Sequence, residues 1–467
     1  MKSKILQLAL FLVLFATASC EKDYTVEQNP FVVAFEKQSV DLSSIPDQQE
    51  MKLIFSEPAK NDGKVSIKLT GTLAAYGVDF STLPEAQSGI LELPFTKGQS
   101  ELFFTFKNLI YPFDNDEKSI LMEVVAINYA GEASIQGYTS SLVSFQRSLG
   151  ATLLPEIGGP NQGNQIFIDL SKETMTSSRR DIWDLGFYSG NQFRVTINGS
   201  LYMAVKKLDA TNIDAVNEAS VNAFFPQVAV GTFDPSNANY IDAPNGLINQ
   251  TAIAEISAND AENNVYLVNM GYAIGTTTPP QGSVAIAGDA RGWRKIRILR
   301  DGDSYVLQYA ELNSTTHQQV TIPKNPNYNF TFFSLVTQNV VNVEPQKGLW
   351  DLCFTVFTNE IAGSGSYGYS DFVLNNLKAG VKGYRVAVTS EIDFNNFDRI
   401  KVVESNFMDD QRVIGAEWRD VFTGSAYTDR FYVIKDTDGN YYKVRMLEFL
   451  NEGGVRGYPK FEYKLIQ

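Results

Sequence analysis

Asp181-Ile182-Trp183-Asp184-Leu185-Gly186-Phe187 is the most informative stretch of this chain, because the same pattern returns as Gly348-Leu349-Trp350-Asp351-Leu352-Cys353-Phe354. We interpret each Trp-Asp-Leu-x-Phe run, at 183–187 and 350–354, as a strand. A second pattern, two β-rich runs joined by Asp-Gly, also occurs twice, at residues 296–307 and 432–444. In the later copy, Asp438-Gly439 predicts a hairpin with a type I′ turn, whose central residues both need positive φ. Two patterns that recur in one order predict a duplicated β unit.

The repeat sets the boundaries of the two copies. We assign the first copy to residues 166–335 and the second to residues 336–467. The interval between the two patterns is longer in the first copy, so we place its extra residues in the loop-rich stretch 210–285. One short helix is predicted at 210–219, and the chain is expected to end in an antiparallel meander.

Residues 31–146 precede the repeat and read as alternating short strands at the spacing of a β-sandwich. The whole chain is therefore predicted to be all-β, with an N-terminal β-sandwich followed by a duplicated, mostly antiparallel β region. Between them, residues 147–165 lose this periodicity and are rich in Gly, Asn and Pro, which predicts a linker.

The sandwich region resembles the Calx-beta family. The motifs that carry this resemblance are Gly77-Val78-Asp79-Phe80, Leu93-Pro94-Phe95-Thr96-Lys97-Gly98 and Phe104-Thr105-Phe106, followed by an acidic cluster. The resemblance implies that the oxygens of this cluster hold Ca²⁺, and the residues are Asp114, Asp116 and Glu117. The alternative is a solvated loop between strands, which we favour because the chain offers only this one acidic cluster.

Residues 1–19 read as a secretory signal peptide: Lys2 and Lys4 precede an apolar run at 5–16, which is shorter than the ~20 residues that span a bilayer. Cys20 follows Thr17-Ala18-Ser19, a sequence similar to a bacterial lipobox, and the similarity implies that the Cys20 thiol is acylated. Ordinary cleavage nearby is the alternative.

Residues 20–30 form an acidic tether in this reading. Its start, Glu21-Lys22-Asp23, is similar to the tag that accompanies export of Bacteroidetes lipoproteins to the outer face of the outer membrane. We therefore expect a lipid-anchored outer-membrane protein at the cell surface, which meets the membrane through its lipid anchor only.

Composition excludes several classes of partner and bond. The 467-residue chain carries a net charge of −14, which would repel the phosphate backbone of a nucleic acid. With 31 Phe and 22 Tyr, it suits half-buried pleated strands. Cys353 is the one thiol left once Cys20 is acylated, so no intramolecular disulfide is expected.

The region from about residue 150 resembles the HmuY family of Bacteroidetes lipoproteins. The resemblance is carried by both Trp-Asp-Leu strands, by Asn198-Gly199-Ser200 and by the terminal run from Tyr432-Val433-Ile434-Lys435-Asp436 to Gly457-Tyr458-Pro459-Lys460-Phe461. It implies an all-β, lipid-anchored extracellular protein. The best-known members bind haem and pass it to a TonB-dependent outer-membrane receptor.

Haem held on both faces of its iron needs two axial side chains. His317 is the chain's one histidine, so a bis-His site within one chain is excluded. His317 is itself one axial candidate, although it lies in a polar turn. The remaining axial candidates are Met203, Met270 and Met408; the alternative for each is packing, since Met commonly fills cores.

Tyr367 and Tyr369 are candidates to line a porphyrin slot, and Lys382, Arg385 and Arg419 to face its propionates, as cations face carboxylates. Exposed loop aromatics also serve proteins that bind glycans or other proteins. The sequence thus leaves open two readings: capture of haem or a small apolar ligand for a receptor, or a haem-free surface module for protein or glycan.

Catalytic motifs are weak. The Gly-rich match at 363–368 precedes a strand-like run, whereas a dinucleotide motif opens a helix. The 436–440 segment lacks the ligand spacing of a calcium loop, and a Ser-His-Asp triad would need His317 without any nucleophile elbow. We expect a binding protein, not an enzyme.

Overall fold

The computed structural model describes residues 30–41, 45, 47–109, 118–144 and 150–466. The predicted signal peptide, Cys20 and the tether up to residue 29 lie outside the described residues, as do Asp114, Asp116 and Glu117. The described chain is built mainly of antiparallel β-sheets, which confirms the predicted all-β fold class. Within it, no helix is long and apolar enough to cross a bilayer.

Ten strands form the N-terminal sandwich: β1 Phe31–Phe35, β2 Ser39–Asp41, β3 Gln48–Phe55, β4 Gly63–Thr72, β5 Phe80–Leu83, β6 Ile90–Phe95, β7 Glu101–Asn108, β8 Ser119–Tyr129, β9 Ala133–Ser134 and β10 Ser140–Ser144. They make two sheets, in the orders β5-β7-β3-β1-β9 and β2-β10-β8-β4-β6. Alternate side chains of β1 and β7 are buried, as expected where two sheets stack face to face.

The rest of the chain forms β11 Gly150–Leu153, β12 Asn164–Asp169, β13 Thr174–Arg179, β14 Leu185–Tyr188, β15 Val195–Ile197, β16 Ala204–Lys207, β17 Val265–Asn269, β18 Tyr272–Ile274, β19 Ala287–Ala290, β20 Trp293–Asp301, β21 Ser304–Glu311, β22 Gln318–Ile322, β23 Phe330–Ser334, β24 Asn339–Val341, β25 Leu352–Ile361, β26 Gly365–Asn375, β27 Lys382–Ala387, β28 Arg419–Asp420, β29 Ser425–Ala426, β30 Arg430–Lys435, β31 Tyr441–Leu450 and β32 Arg456–Leu465. The predicted terminal meander is observed as β30–β32.

Among the residues that the structure describes, helical structure is limited to short pieces: α1 Glu218–Val221 and the 3₁₀ turns Gly159–Asn161, Gly199–Leu201, Ile213–Ala215, Asn222–Phe224, Pro235–Tyr240, Ile248–Gln250, Asp260–Glu262, Leu377–Ala379, Arg399–Lys401 and Glu404–Asn406. The single helix predicted at 210–219 is wrong. A 3₁₀ turn and the capped four-residue α1 replace it, because the apolar spacing there is too weak to sustain a longer helix.

The duplicated region packs as two interleaved halves. The first half comprises β14–β24, with sheets β15-β14-β23-β24 and β16-β17-β20-β21-β22. The second half comprises β11–β13 and β25–β32, with sheets β13-β12-β25-β26 and β11-β32-β31-β30-β27. The strands that follow the two Trp-Asp motifs, β14 and β25, hold corresponding positions in the two four-stranded sheets. Their neighbours β23 and β12 correspond in the same way. Each half has its own core, and a smaller apolar cluster joins the two four-stranded sheets.

This interleaving differs from the sequence-based boundaries in two places. β12, assigned to the first copy, pairs with β25 of the second, with Ile168 opposite Leu352. Gly150–Leu153, assigned to the linker, is a strand paired with the final strand β32. A sequence repeat shows that two strands are alike, but it does not show which partner each strand finds.

The Asp-Gly hairpin also differs in detail from its prediction. β30 and β31 do pair across residues 436–440, as expected. However, Gly439 has positive φ (85°) and Asp438 does not, so the turn is not type I′. The loop is longer than two residues, and the Asp436 carboxylate accepts hydrogen bonds from Asn440, which fixes the turn.

Candidate functional site

The two Trp-Asp motifs lie where the two halves meet, in matching surroundings. The Trp183 ring packs edge-on against Phe332 of β23, with centroids 4.8 Å apart. The Trp350 ring packs edge-on against Phe167 of β12, with centroids 5.1 Å apart. Since β23 and β12 hold corresponding positions in their sheets, the two Trp rings have equivalent neighbours.

The aspartates of the motifs are structural. Asp184 accepts a hydrogen bond from the backbone N–H of Leu335 (2.6 Å), and Asp351 accepts the equivalent bond from Leu170 (2.8 Å). Both carboxyl groups are buried. Burial raises the pKa of Asp351 to about 8, against the opposing effect of the Leu170 hydrogen bond. These groups hold the ends of β23 and β12 in place.

An asparagine after each motif completes the repeated arrangement. Asn198 donates to the carbonyls of Arg180 and Trp183, and Asn376 donates to those of Lys347 and Trp350. Each asparagine caps a 3₁₀ turn, Gly199–Leu201 or Leu377–Ala379. The Asn198-Gly199-Ser200 motif of the sequence is thus a fixed turn beside the junction of the halves.

A cavity of about 180 Å³ opens between these two turns. Its apolar wall consists mainly of aromatic and branched side chains from the two facing four-stranded sheets: Phe167, Trp183, Phe330, Phe332, Trp350 and Leu374. Because both Trp-Asp motifs contribute to it, we call this space the inter-half cleft. A largely apolar and aromatic lining with some polar groups at its edge is the usual composition of a small-molecule site.

Two acidic side chains, Asp242 and Glu344, and one basic side chain, Lys378, line the same cleft. Burial raises the pKa of Glu344 to about 7, although the backbone N–H groups of Phe330 and Asn329 donate to it and oppose the shift. Burial also lowers the pKa of Lys378 to about 8 and raises that of Asp242. Perturbed titratable groups within an apolar cleft are a common mark of a functional site.

Residues 241–251 of the first half border the cleft and are fastened to the second half. The backbone N–H of Gln411 donates to the carbonyl of Asn245 (2.9 Å), and its side-chain amide donates to Pro244 (3.0 Å). The ammonium of Lys378 donates to the carbonyl of Gly246. We call residues 241–251 the strap, since they bridge the two halves beside the cavity.

The candidate methionines are scattered. Met203 is buried and lines the cleft. Met270 is buried in the core of the first half, where its thioether packs among apolar side chains. Met408 is 46% exposed, and its backbone N–H donates to the carbonyl of Gly383. The structure therefore brings one of the three to the cleft.

His317 and the basic candidates lie elsewhere. His317 Nδ1 is 3.0 Å from a carboxylate oxygen of Asp214, outside the cleft. Arg419 is buried and pairs with Asp371 (3.3 Å), so it faces a carboxylate of the protein where the sequence suggested a propionate. Lys382 pairs with Asp409 (2.6 Å) at the surface, and Arg385 is exposed on β27.

Tyr367 and Tyr369 lie on the edge strand β26, with ring centroids 5.5 Å apart, and neither lines the cleft. Tyr367 is 40% exposed and lies 5.8 Å from the ring of Phe233, which is 64% exposed. We call Phe233, Tyr367 and Tyr369 the outer aromatic patch.

Sequence reasoning missed Asp242, Glu344 and Lys378. Asp242 and Glu344 come from loops without a motif. Lys378 and Ser200 occupy the same position in the two turns, two residues after the capping asparagine. A residue-by-residue comparison of the turns would therefore have shown a lysine in one where the other has a serine. Among the described residues, no group of three or more His, Cys, Asp or Glu side chains could hold a metal ion.

Comparisons with solved structures give remote similarities. The Calx CBD1 domain in its apo form is 13% identical, covering 25% of this chain and 95% of that one, with a TM-score of 0.20. A Bacteroides vulgatus protein, provisionally assigned as HmuY-like and haem-binding, is 11% identical, covering 68% and 94%, with a TM-score of 0.15. A provisionally assigned lipoprotein from Bacteroides fragilis is also 11% identical, covering 68% and 90%, with a TM-score of 0.15.

No curated protein matches the chain. The HmuY protein family model, in contrast, matches residues 161–463, which comprise about two thirds of the sequence and contain both Trp-Asp motifs, the cleft and the terminal meander. The resemblance seen in the sequence is therefore confirmed, and the chain belongs to the HmuY family.

Proposed function

We propose that this chain binds haem or a related tetrapyrrole in the inter-half cleft. Membership of the HmuY family supports a ligand-binding role. The single observation that carries the choice of site is the apolar lining of this cleft, to which Trp183 and Trp350 of the two motifs both contribute. Planar aromatic walls suit a flat, apolar macrocycle, because offset stacking and burial of apolar area both favour it.

The donor atoms at the cleft fit a weakly ligated iron. Met203 and Cys353 are the sulfur-bearing side chains that line it. Burial raises the pKa of the Cys353 thiol strongly, so it stays protonated and is a poor ligand. The proposed axial ligand is the thioether of Met203, with stacking and burial supplying most of the affinity.

Access to the cleft requires movement of the strap. The cavity of about 180 Å³ is smaller than the ~300–1,000 Å³ typical of sites for drug-sized ligands. The strap is held by hydrogen bonds from Gln411 and Lys378, and these can break without disturbing a strand pairing. Opening would separate residues 241–251 from the second half and admit the macrocycle.

A haem-free surface module for protein or glycan is the second candidate. The observation that favours it is the outer aromatic patch, in which Phe233 and Tyr367 are each at least 40% exposed. Exposed aromatic rings of this kind stack on sugar rings or fill pockets of a protein partner. This function would leave the inter-half cleft without a role.

Titration with haemin separates the two. Haemin should quench the fluorescence of Trp183 and Trp350 and produce a shifted Soret band in the wild-type protein. Leu374→Trp, which fills the cleft, should abolish both effects, while Met203→Leu should alter the spectrum of the iron and retain binding, since Leu and Met have similar volumes.

Tyr367→Ala in the outer aromatic patch and Met408→Ala on the surface are the matched controls and should bind haemin normally. Loss of binding in either control would place the site outside the cleft. A free-haemin spectrum with the wild-type protein would favour the haem-free module.

We further propose that residues 1–19 are a signal peptide, that Cys20 is acylated and that the protein delivers its ligand to a TonB-dependent receptor at the cell surface. The lipobox-like Thr17-Ala18-Ser19-Cys20 and the Glu21-Lys22-Asp23 tag support this placement. Incorporation of labelled palmitate that is lost in Cys20→Ala, and digestion by protease added to intact cells, test the anchor and the exposure separately.

A further inference from the structure

Lys378 holds a fixed position at the cleft. The turn Leu377–Ala379 that carries it is capped by Asn376 and ends at Gly380, whose φ of 93° is readily adopted by glycine. The cap is tied in turn to the backbone of Trp350 and Lys347. The lysine is therefore anchored to the same frame that positions the aromatic wall of the cleft.

The Lys378 ammonium has spare donors. It carries three N–H groups, and among the described residues its hydrogen bond goes to the carbonyl of Gly246. In the described chain, no carboxylate oxygen lies within 4.0 Å of it, the limit for a salt bridge. A lysine in an apolar cleft with no direct counter-charge is costly, since a buried charge is normally paired.

The carboxyl groups of the cleft already accept hydrogen bonds from the protein backbone. Asp242 accepts hydrogen bonds from the N–H groups of Ile197 (2.9 Å) and Ala252 (2.8 Å) and from the Thr196 hydroxyl. Glu344 accepts from the backbone N–H groups of Asn329 and Phe330, where β23 begins. Both act on Lys378 through longer-range attraction, which opposes the effect of burial on its pKa.

The fold itself does not require this cation. In the corresponding turn of the first half, the place of Lys378 is taken by Ser200, whose hydroxyl donates to Asn198 within its own turn. The two turns share their caps and their position beside a Trp-Asp motif. The charge is thus an asymmetric addition to an otherwise repeated frame, which points to a role in binding.

We propose that Lys378 binds a carboxylate of the ligand, so that the cleft prefers tetrapyrroles with free acid side chains. This inference rests on the proposed function of the cleft. The ligand's carboxylate takes the two unused N–H groups and supplies the missing counter-charge, while the macrocycle lies against the aromatic wall. Lys378 thereby replaces Lys382, Arg385 and Arg419 as the group that recognises propionates.

The titratable groups that face the ammonium in the cleft are Asp242, Glu344 and Cys353. Above about pH 8 Lys378 loses its charge, and above about pH 7 Glu344 gains one. Both changes disfavour a bound carboxylate. The preference for an acidic ligand over its neutral ester should therefore decrease as the pH rises from 6 to 9.

The test compares haemin with haemin dimethyl ester, in which both acid groups are esterified. Wild-type protein should bind haemin at least ~10-fold more tightly, the effect expected of a hydrogen bond to a charged group. Lys378→Met should bind both probes with equal affinity. Lys382→Met, a surface lysine paired with Asp409, is the matched control and should keep the preference.

The outcomes distinguish this inference from the function on which it rests. Tight binding of both probes by the wild-type protein, with no preference, overturns the role of Lys378 alone. Failure of the wild-type protein to bind either probe overturns the proposed function and the inference together. Circular dichroism verifies the fold of each variant, and Lys378→Gln repeats the test with a polar side chain of similar length.

Discussion

Asp371 is the most heavily engaged buried side chain of the second half. Its carboxylate lies 2.8 Å from Arg456 and 3.3 Å from Arg419, and it also accepts a hydrogen bond from Gln162 (2.6 Å). The residue adopts φ of 50°, a conformation that Asn tolerates. It joins the turn before β12 to β26 and β32 through one carboxyl group.

Asp371→Asn should therefore destabilise the duplicated region by about 3–5 kcal/mol, because it leaves two buried arginines without a counter-charge. Urea unfolding followed by tryptophan fluorescence measures the loss, since all four tryptophans lie in this region. Asp409→Asn, which removes an exposed partner of Lys382, should change stability by less than ~1 kcal/mol. Equal effects of the two substitutions would contradict the role of Asp371.

Glu344 leads to a pH-dependent prediction at the same scale. Its pKa is raised from 4.5 to about 7 by burial, so the folded chain retains a proton that the unfolded chain releases. Stability should therefore fall as the pH rises from 4.5 to 7 and then stop changing through this group. Glu344→Gln keeps the acceptor oxygen and should remove the decrease in stability that the ionisation of Glu344 causes. The decrease caused by Asp351, whose pKa is raised to about 8, should remain.

Thermal unfolding of the wild-type protein and of Glu344→Gln at pH 5, 6 and 7 measures that difference. The advantage of the variant should grow across this range. An advantage that shrinks with rising pH would show that the fold stabilises the ionised carboxylate, opposite to the effect expected of burial.

At the scale of elements, the interleaved pairing of β12 is the feature with the clearest consequence. Ile168 is fully buried and belongs to the core of the second half, although it precedes the first Trp-Asp motif. Ile168→Ala should cost about 2–5 kcal/mol. Hydrogen exchange should show the lost protection in Arg456–Leu465 (β32), with Ser304–Glu311 (β21) much less affected.

Thr176→Ala on the exposed strand β13 is the control and should leave both strands protected. If the halves packed in sequence order, Ile168→Ala would expose β21 instead. That result would refute the interleaved arrangement.

The same strand, β12, separates what can be predicted from the sequence from what cannot. Strands at Leu185–Tyr188 and Leu352–Ile361 follow the two Trp-Asp motifs, as the repeated pattern predicts, and consecutive residues at the start of each are buried. The partner of β12 does not follow, because β25 and β14 offer nearly identical motifs. Similarly, Asp242, Glu344 and Lys378 are brought together by tertiary packing across more than one hundred residues, and no local pattern records their proximity.

On the scale of the whole molecule, the sandwich and the duplicated region have separate cores. The contacts between them include a bridge between Lys37 and Ala151 and a 3.8 Å ion pair between Lys37 and Glu173. In the sandwich, Asp79 pairs with Lys118 (2.6 Å), so this acid of the Calx-beta-like motif faces a lysine.

Because the cleft lies entirely within the duplicated region, removal of residues 30–144 should leave haemin affinity and the tryptophan-monitored unfolding midpoint unchanged. Fluorescence titration and urea unfolding of the shortened chain provide the measurement. A loss of affinity without a loss of stability would give the sandwich a direct part in binding, beyond that of a spacer.

Crystals grown with haemin provide the decisive experiment for the whole molecule, because the position of the iron identifies the binding site. Anomalous scattering at the iron edge locates the metal without reference to the protein density. We predict one site in the inter-half cleft, between Trp183 and Trp350 and beside Met203. Iron at Met408, at His317 or on the outer aromatic patch, with an empty cleft, would refute haem binding between the two halves.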